Sequence, residues 1–240
     1  MDDMLARHER IALQFSGGKD SLACLYLLKP YWDRLTVYWL NTGAAYPETV
    51  ALMDKVRSMV PRFIEVAGRQ PQVIEQFGIP SDLVPASATP IGITAAGGGL
   101  LLQDRYSCCA RSMMIPMQER MIEDGITLVI RGQKQADSLK WPLRSGQVVD
   151  GVEYLFPIED WSSRQVMDFL KQQGAPIPRF YEVISSAPDC MTCSAWWEEG
   201  AAKYLKRYHH EHYLQYQGKL DAINAAVSAH IANFNDEVNE

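Results

Sequence analysis

The sequence predicts an α/β fold, a doubly wound, mostly parallel sheet with helices on both faces, followed by a C-terminal helical extension. Three observations carry this. Short apolar runs alternate with stretches of helical spacing along the first two thirds of the chain, and the joins between them are short. The first run opens directly into a glycine turn and a buried helix. Beyond residue 195 the pattern is almost unbroken helix.

Taken in order, Ile11 to Phe15 is a strand that ends in Ser16-Gly17-Gly18-Lys19-Asp20-Ser21, and Leu22 to Leu28 continues as an apolar helix. Leu35 to Leu40, rich in β-formers, is a second strand closed by Asn41-Thr42-Gly43. Pro47-Glu48-Thr49 opens a helix with Val50, Met53, Val56, Met59 and Val60 at helical spacing, and Pro61 stops it. Arg62 to Val66 suits a third strand. From Gly68 to Tyr106 the residues are rich in Pro, Gly, Ala and Ser, which predicts a long, partly mobile loop with modest local structure, of the kind that can serve as a lid. Arg111 to Glu123 reads as helix despite Pro116, Thr127 to Ile130 as a strand, Arg131 to Ser138 as its polar turn, and Tyr154 to Ile158 as the last strand. Ser162-Ser163-Arg164-Gln165 forms a capping box for a helix that Gly174 ends. The tail is expected to be helical from Trp196, broken or bent near Gln217-Gly218, which divides the chain into residues 1–195 and 196–240.

Composition narrows the function. Of 240 residues 47% are apolar and 22% charged, ordinary values for a folded chain, so a disordered or fibrous protein is excluded. The formal charge of −6 removes the overall basic field that non-specific duplex binding needs. The start carries acids where a secretory signal has positive charge, and its apolar run is too short for a bilayer, so the expectation is a cytoplasmic protein with no membrane partner.

The glycine turn carries the first chemistry. A strand that delivers Ser16 to Ser21 into a helix builds an anion site. Outward N–H groups and the helix dipole supply partial positive charge, and Lys19 supplies a whole one. Gly17 and Gly18 permit positive φ and close backbone approach, and Ser16 and Ser21 offer hydroxyls. The expected guest is a phosphate chain. Asp20 repels phosphate, so its expected work is to hold Mg²⁺ or to orient Lys19. Neither the Walker nor the dinucleotide glycine pattern is present. Asp137 and Ser138 are candidates for ribose or phosphate contact.

The five cysteines fall as a lone Cys24 in an apolar helix and two pairs, Cys108-Cys109 and Cys190-Met191-Thr192-Cys193. Cys24 is expected in the core. In a reducing compartment the pairs point to metal ligation or redox chemistry over structural disulfides. Four thiolates suit either [4Fe–4S] or tetrahedral Zn²⁺. Cys108 and Cys109 reach one centre only from an unusual turn or from the start of a helix. The cluster of His209, His210 and His212 reads as a packing or solvated helix face.

Ser16 to Ser21 resembles the PP-loop of the ATP pyrophosphatases, and the rest of the chain resembles their branch named for phosphoadenosine phosphosulfate (PAPS) reductase. Asn41 to Thr49 is similar to the branch's D-T-G…P-E-T segment, Cys108-Cys109 to its vicinal cysteines, and Gly132-Gln133-Lys134-Gln135-Ala136-Asp137-Ser138 to its G-x-R-x-x-D-S turn. Pro157 to Ser162 and the closing CxxC agree as well. The resemblance implies an adenine nucleotide alpha hydrolase-like fold, with nucleotide contacts at Ser16, Gly17, Gly18, Lys19, Asp20, Ser21, Asn41, Gly43, Lys134, Asp137 and Ser138. It also implies a [4Fe–4S] cluster on Cys108, Cys109, Cys190 and Cys193 next to the nucleotide site, with zinc the less favoured metal. Arg111, Lys203 and Arg207 are candidates to tune its charge, and Trp196-Trp197 to shield it.

The chain departs from that pattern at three points. Asn41 stands where the branch has Asp, and Lys134 where it has Arg, so a charge is lost and a planar fork becomes a point charge. No cysteine follows Cys193, whereas the branch's reductases use one in a C-terminal segment. The lysine-bearing loop is intact where those reductases carry a degenerate one. The leading expectation is therefore an enzyme that binds ATP with Mg²⁺, uses Lys19 and Asp20 catalytically, releases AMP and pyrophosphate, and transfers sulfur to a nucleic-acid or small-molecule acceptor from a sulfur-donor partner. The alternatives are an adenylyl-sulfate or PAPS reductase served by an external, thioredoxin-like thiol, and a non-catalytic nucleotide-binding subunit.

Overall fold

The computed structural model describes residues 1–137 and 142–240, so Ser138, one of the nucleotide-contact candidates, lies outside the described residues. The chain opens with helix α1 (Asp2–Arg7), strand β1 (Ile11–Gln14), α2 (Lys19–Leu27), β2 (Leu35–Asn41), α3 (Pro47–Met59) and β3 (Phe63–Ala67). There follow α4 (Gln70–Phe77), β4 (Ile79–Ser81), α5 (Pro90–Ala96), β5 (Leu102–Asp104), α6 (Arg105–Cys109) and, after a π-helical turn at Ala110–Met114, α7 (Ile115–Glu123). The remainder is β6 (Leu128–Ile130), β7 (Val148–Val149), β8 (Val152–Leu155), α8 (Ser163–Gln172), α9 (Ala201–Tyr208) and α10 (His210–Asn239). These form two compact units, one of residues 1–41, 45–67 and 116–182, the other of residues 42–44, 68–115 and 183–240.

The first unit holds a six-stranded sheet in the order β3-β2-β1-β6-β8-β7. All neighbours are parallel except β7, which folds back antiparallel on β8. Both faces are covered, as the apolar runs require. Ile11, Leu13, Val37, Trp39, Leu128, Ile130 and Leu155 point to one face, where they pack with Leu22 and Leu25 of α2, Met53 and Val56 of α3, and Val166 and Leu170 of α8. The residues between them, Ala12, Tyr38, Val129 and Tyr154, point to the other face and meet Met121 of α7. Cys24 is buried in the first of these layers, as expected, and burial pushes its thiol above the ordinary value. The capping box is realised: Ser162 Oγ accepts from Gln165 N at 3.2 Å, and Gln165 Oε1 accepts from Ser162 N at 2.8 Å.

This strand order fixes the site. From β1 the chain moves outward through β2 to β3, then returns to the other side of β1 as β6. Leu13 is in register with Ile130, so the segments after β1 and β6 emerge side by side at the carboxyl ends of the strands, where the winding reverses.

The second unit corrects the expected loop at residues 68–106. It contains α4, α5 and a separate two-stranded parallel sheet, β4 with β5. Gly78, at φ +91°, is held against the Leu101 carbonyl so closely that a Cβ would lie 2.2 Å from its oxygen. Gln103, buried between the elements, donates through Nε2 to the carbonyls of Val73 and Gly78 at 3.3 and 2.6 Å. Ala88, Leu102 and Ile223 form its small core with Leu220 and Val227 of α10. The tail helix does not break at Gln217-Gly218. It breaks at His209, whose backbone leaves the helical region at φ −139°, ψ 64°, while Gly218 is carried inside a helix of 30 residues. A lone helical glycine costs only about 1 kcal/mol against alanine, which a helix of that length absorbs.

Candidate functional site

The glycine turn lies in the first unit. Gly17 takes φ +84° and turns the chain out of β1, whereas Gly18 is extended at φ −73° and serves as the N-cap of α2, so one of the two expected left-handed glycines is an ordinary cap. The two serines close the loop on itself. Ser21 Oγ donates to the Gly18 carbonyl at 3.0 Å, and the two hydroxyl oxygens are 3.2 Å apart. The first N–H of α2, that of Lys19, donates to the Tyr181 hydroxyl at 2.8 Å, and Lys19 Nζ stands 5.7 Å from the centre of the same ring. Tyr181 is a member of the site that sequence pattern missed.

Asp20 is the pivot of the charges. Its Oδ2 is 2.5 Å from Lys19 Nζ and its Oδ1 is 2.7 Å from Lys134 Nζ. Lys134 reaches it from the turn after β6. That ammonium also bonds Asp137 Oδ1 at 2.8 Å, and Asp137 Oδ2 accepts from Lys134 N at 2.8 Å. Lys134 is only 1% exposed. Burial pulls its pKa down, but hydrogen bonds and charge from Asp137 and Asp20 outweigh burial and leave it raised, so the ammonium stays charged. Lys134, expected as a nucleotide contact, is here a buried brace between Asp20 and Asp137. The pairing of Asp20 with Lys19 is the contact that the expected orienting task requires. The brace depends on Gly132, where a Cβ would sit 2.5 Å from Asp20 C and 2.6 Å from Ser21 N.

Asn41, at the end of β2, donates from Nδ2 to Glu65 Oε1 at 2.8 Å. Gly43 belongs to the second unit, at φ +80° against Pro71.

The second unit carries all four paired cysteines, and they line one cavity together with Gln70 and Trp196. Cys108 and Cys109 are the last residues of α6, whose N-cap is Asp104, accepting from Ser107 N at 2.9 Å. The helical rotation between adjacent residues lets both side chains face one side, which an extended backbone forbids. Cys190 and Cys193 flank a tight turn in which Cys193 N donates to Cys190 O at 3.3 Å. That turn is held from three directions. Met191 N donates to Ala44 O at 2.7 Å, Thr192 Oγ1 donates to Gln70 Oε1 at 3.0 Å, and Lys219 Nζ from α10 donates to Thr192 O at 2.6 Å.

Trp196 adopts a left-handed backbone at φ 61°, unusual for so large a residue. Asp82 holds it there by accepting from both Trp196 N and Trp197 N at 3.0 Å. The Arg105 guanidinium lies 4.0 Å over the Trp196 ring. Burial pushes the Cys108 thiol up, opposed by a hydrogen bond with Ser112 and by the charge of Arg111, one of the basic residues expected near the cysteines. Lys219, not foreseen, reaches the cysteine turn by its bond to the Thr192 carbonyl, and burial pulls its own pKa down.

Burial pushes all four thiols up, Cys109 and Cys193 to about 12 and Cys190 well above its ordinary value. In that setting they stay protonated unless a cationic group shares the cavity. The donor set, one buried and three half-buried cysteines on one cavity, fits a soft thiolate-bound centre. Among the described residues no three His, Cys, Asp or Glu side chains are grouped so as to hold one metal ion. Among them, too, no helix is long and apolar enough to cross a membrane.

Comparison with known proteins bears on both sites. The model of the phosphoadenosine phosphosulfate reductase domain matches residues 10–196. Phosphoadenosine 5'-phosphosulfate reductase of Gloeobacter violaceus is 23% identical over 204 residues, covering 80% of this chain and 75% of the relative. Adenosine 5'-phosphosulfate reductase of Burkholderia cepacia is 23% identical over 223 residues, covering 85% and 84%. The crystal structure of phosphoadenylyl-sulfate reductase from Candida auris, a phosphate complex, shares the fold at a TM-score of 0.57 and 14% identity, over 78% of this chain and 85% of that one.

Proposed function

Because the chain belongs to the phosphoadenosine phosphosulfate reductase domain family, we propose that it binds an adenine sulfonucleotide, adenylyl sulfate or its 3'-phosphorylated form, and reduces it to sulfite with a thioredoxin-like dithiol. The observation that carries this reading is that reductases of both substrates align with the chain over most of its length. It takes precedence over the ATP-dependent sulfur transfer that the intact loop leads one to expect. The chemistry balances with a dithiol. One thiolate bonds to the substrate's sulfur as the S–O bond to the nucleotide breaks and the nucleoside phosphate leaves. The second thiolate then forms a disulfide with the first, and sulfite departs with the electron pair. Among the chain's own cysteines none follows Cys193, which is why the reductant is placed outside it.

In this reading Lys19 and the loop N–H groups hold the nucleotide phosphate at the start of α2, and Asp20, braced by Lys134, aims the Lys19 ammonium. Incubation with adenylyl sulfate, PAPS and a thioredoxin system is expected to yield sulfite in proportion to nucleoside phosphate. Lys19→Ala is expected to abolish this while leaving the circular dichroism spectrum unchanged. Absence of sulfite with either substrate overturns the proposal.

A second reading, ATP cleavage to AMP and pyrophosphate with sulfur transfer to an acceptor, is favoured by one specific feature, the complete Ser16–Ser21 loop with its lysine. There Asp20 would hold Mg²⁺. Pyrophosphate release from ATP with candidate nucleic-acid or small-molecule acceptors separates it from the first. Nucleotide binding with neither product would leave a non-catalytic subunit.

For Cys108, Cys109, Cys190 and Cys193 we propose a [4Fe–4S] cluster over zinc. Such a cluster takes one thiolate per iron, so its ligands stand apart around a cavity, whereas a zinc ion draws four onto a single centre. That all four cysteines line one cavity supports a shared thiolate-bound centre. Bound there, the cluster supplies a soft iron–sulfur centre for sulfur chemistry.

A further inference from the structure

We propose that Gln70 is a hydrogen-bond donor to sulfur in the four-cysteine cavity, a positioning and tuning residue for the group held there. The inference rests on the reading of that cavity as an iron–sulfur site.

Gln70 is the first residue of α4 and is 2% exposed. Its backbone N–H is spent on Thr42 O at 3.1 Å. Its side-chain oxygen accepts the Thr192 hydroxyl at 3.0 Å, which fixes the amide plane. The other end of the amide, Nε2, is buried and has no hydrogen-bond partner. The same side chain lines the cavity with Cys108, Cys109, Cys190 and Cys193. A buried donor left unmade costs about 1–3 kcal/mol, and folded proteins seldom carry one without a use for it.

The chemistry of the cavity identifies the missing acceptor. A thioether or protonated thiol accepts poorly, but a thiolate or an inorganic sulfide carries negative charge and accepts an N–H well. The same cavity is lined by four sulfurs that would become such acceptors when iron binds. Thr192 lies between Cys190 and Cys193, so the residue that orients the amide belongs to the ligand turn itself. Loading of the cavity and placement of the donor are thereby coupled.

The experiment is anaerobic reconstitution of the full chain with iron and sulfide, followed by resonance Raman spectroscopy of the Fe–S stretching bands in H₂O and in D₂O. The wild type is expected to bind iron and sulfide and to show a deuterium shift in those bands. Gln70→Met, close in volume and without a donor, is expected to bind the same iron and sulfide and lose the shift. Thr192→Val removes only the orienting bond and is expected to keep a reduced shift, since the donor itself remains. A role confined to holding the ligand turn would make these two variants behave alike, and that result overturns the proposal. Should Gln70→Met fail to load, Gln70→Asn, an amide shortened by one methylene, is expected to load with a weakened shift, and an undiminished shift in it overturns the proposal. A wild-type chain that takes up no iron and sulfide overturns instead the cluster reading beneath it.

Discussion

Lys134 Nζ stands 2.7 Å from Asp20 Oδ1, joining the turn after β6 to the first turn of α2 by an ion pair whose lysine is buried and whose carboxylate is partly exposed. The pair exists because β1 lies beside β6 and both chains leave the sheet at the same edge. Asp20 is in turn bonded to Lys19, so the orientation of the catalytic candidate is set by a residue distant in sequence.

Removing this brace is expected to be costly. Lys134→Met leaves Asp137 without this cation and Asp20 with Lys19 alone, and because both carboxylates are partly exposed the expected loss is about 1–3 kcal/mol, below that of a fully buried pair. Urea denaturation followed by tryptophan fluorescence measures it. A change below about 0.5 kcal/mol, the range of ordinary surface substitutions, would show that the pair is idle.

Gly132→Ala is expected to disturb the loop without touching a charge. The added methyl would meet main-chain atoms of Asp20 and Ser21 at 2.5–2.6 Å, and a main chain cannot swing aside as a side-chain tip can. Nucleotide affinity by calorimetry should fall at least about tenfold, equivalent to 1.4 kcal/mol, with a lowered melting temperature. Wild-type affinity in this variant would mean that the two turns move freely past one another.

Tyr181→Phe addresses the N–H that receives the nucleotide phosphate in the proposed function. In the wild type that N–H is already bonded to the tyrosine hydroxyl, so phosphate must displace it. A neutral hydrogen bond is worth about 1 kcal/mol, and the variant is expected to bind nucleotide about fivefold more tightly. Weaker binding would assign the hydroxyl to the ligand.

Acid stability should depend on Glu153. Its hydrogen bond with His8, together with the Arg7 charge, holds its carboxyl below the ordinary value of 4.5 despite the opposing effect of burial. A carboxylate whose folded pKa is depressed stabilises the fold above its unfolded pKa, and that contribution disappears as pH falls through the lower, folded value. Glu153→Gln is expected to reduce stability at neutral pH and to flatten the decline below about pH 4.5. Parallel unfolding curves for the two proteins from pH 7 to pH 3 would remove Glu153 from the account.

The sheet was legible because its strands are buried on both faces and separated by strong punctuation: Ile11 to Phe15 and Leu35 to Leu40 need no partner to be read as strands. The glycine turn was legible because its parts are contiguous. Residues 68–106 were not, because β4 and β5 have three residues each and α5 seven, too short to show a period. Gly97 does end a helix, but in a stretch so rich in small residues it reads as loop. The β8 strand stops at Leu155, short of the expected Ile158, because Phe156 and Glu159 enter a turn closed by the Glu159 N–H on the Phe156 carbonyl. Tyr181, Gln70 and Lys219 carried no signal at all, since each acts through a neighbour brought near only by folding.

The second unit is stitched from three separate stretches of chain, 42–44, 68–115 and 183–240, with Leu220 and Ile223 of the last helix beside Ala88 and Leu102 of the middle one. A shortened gene ending near residue 196 would thus strand oily side chains that its own product still carries. Anyone trimming this protein for crystals or fusions should keep the tail, or expect an insoluble product.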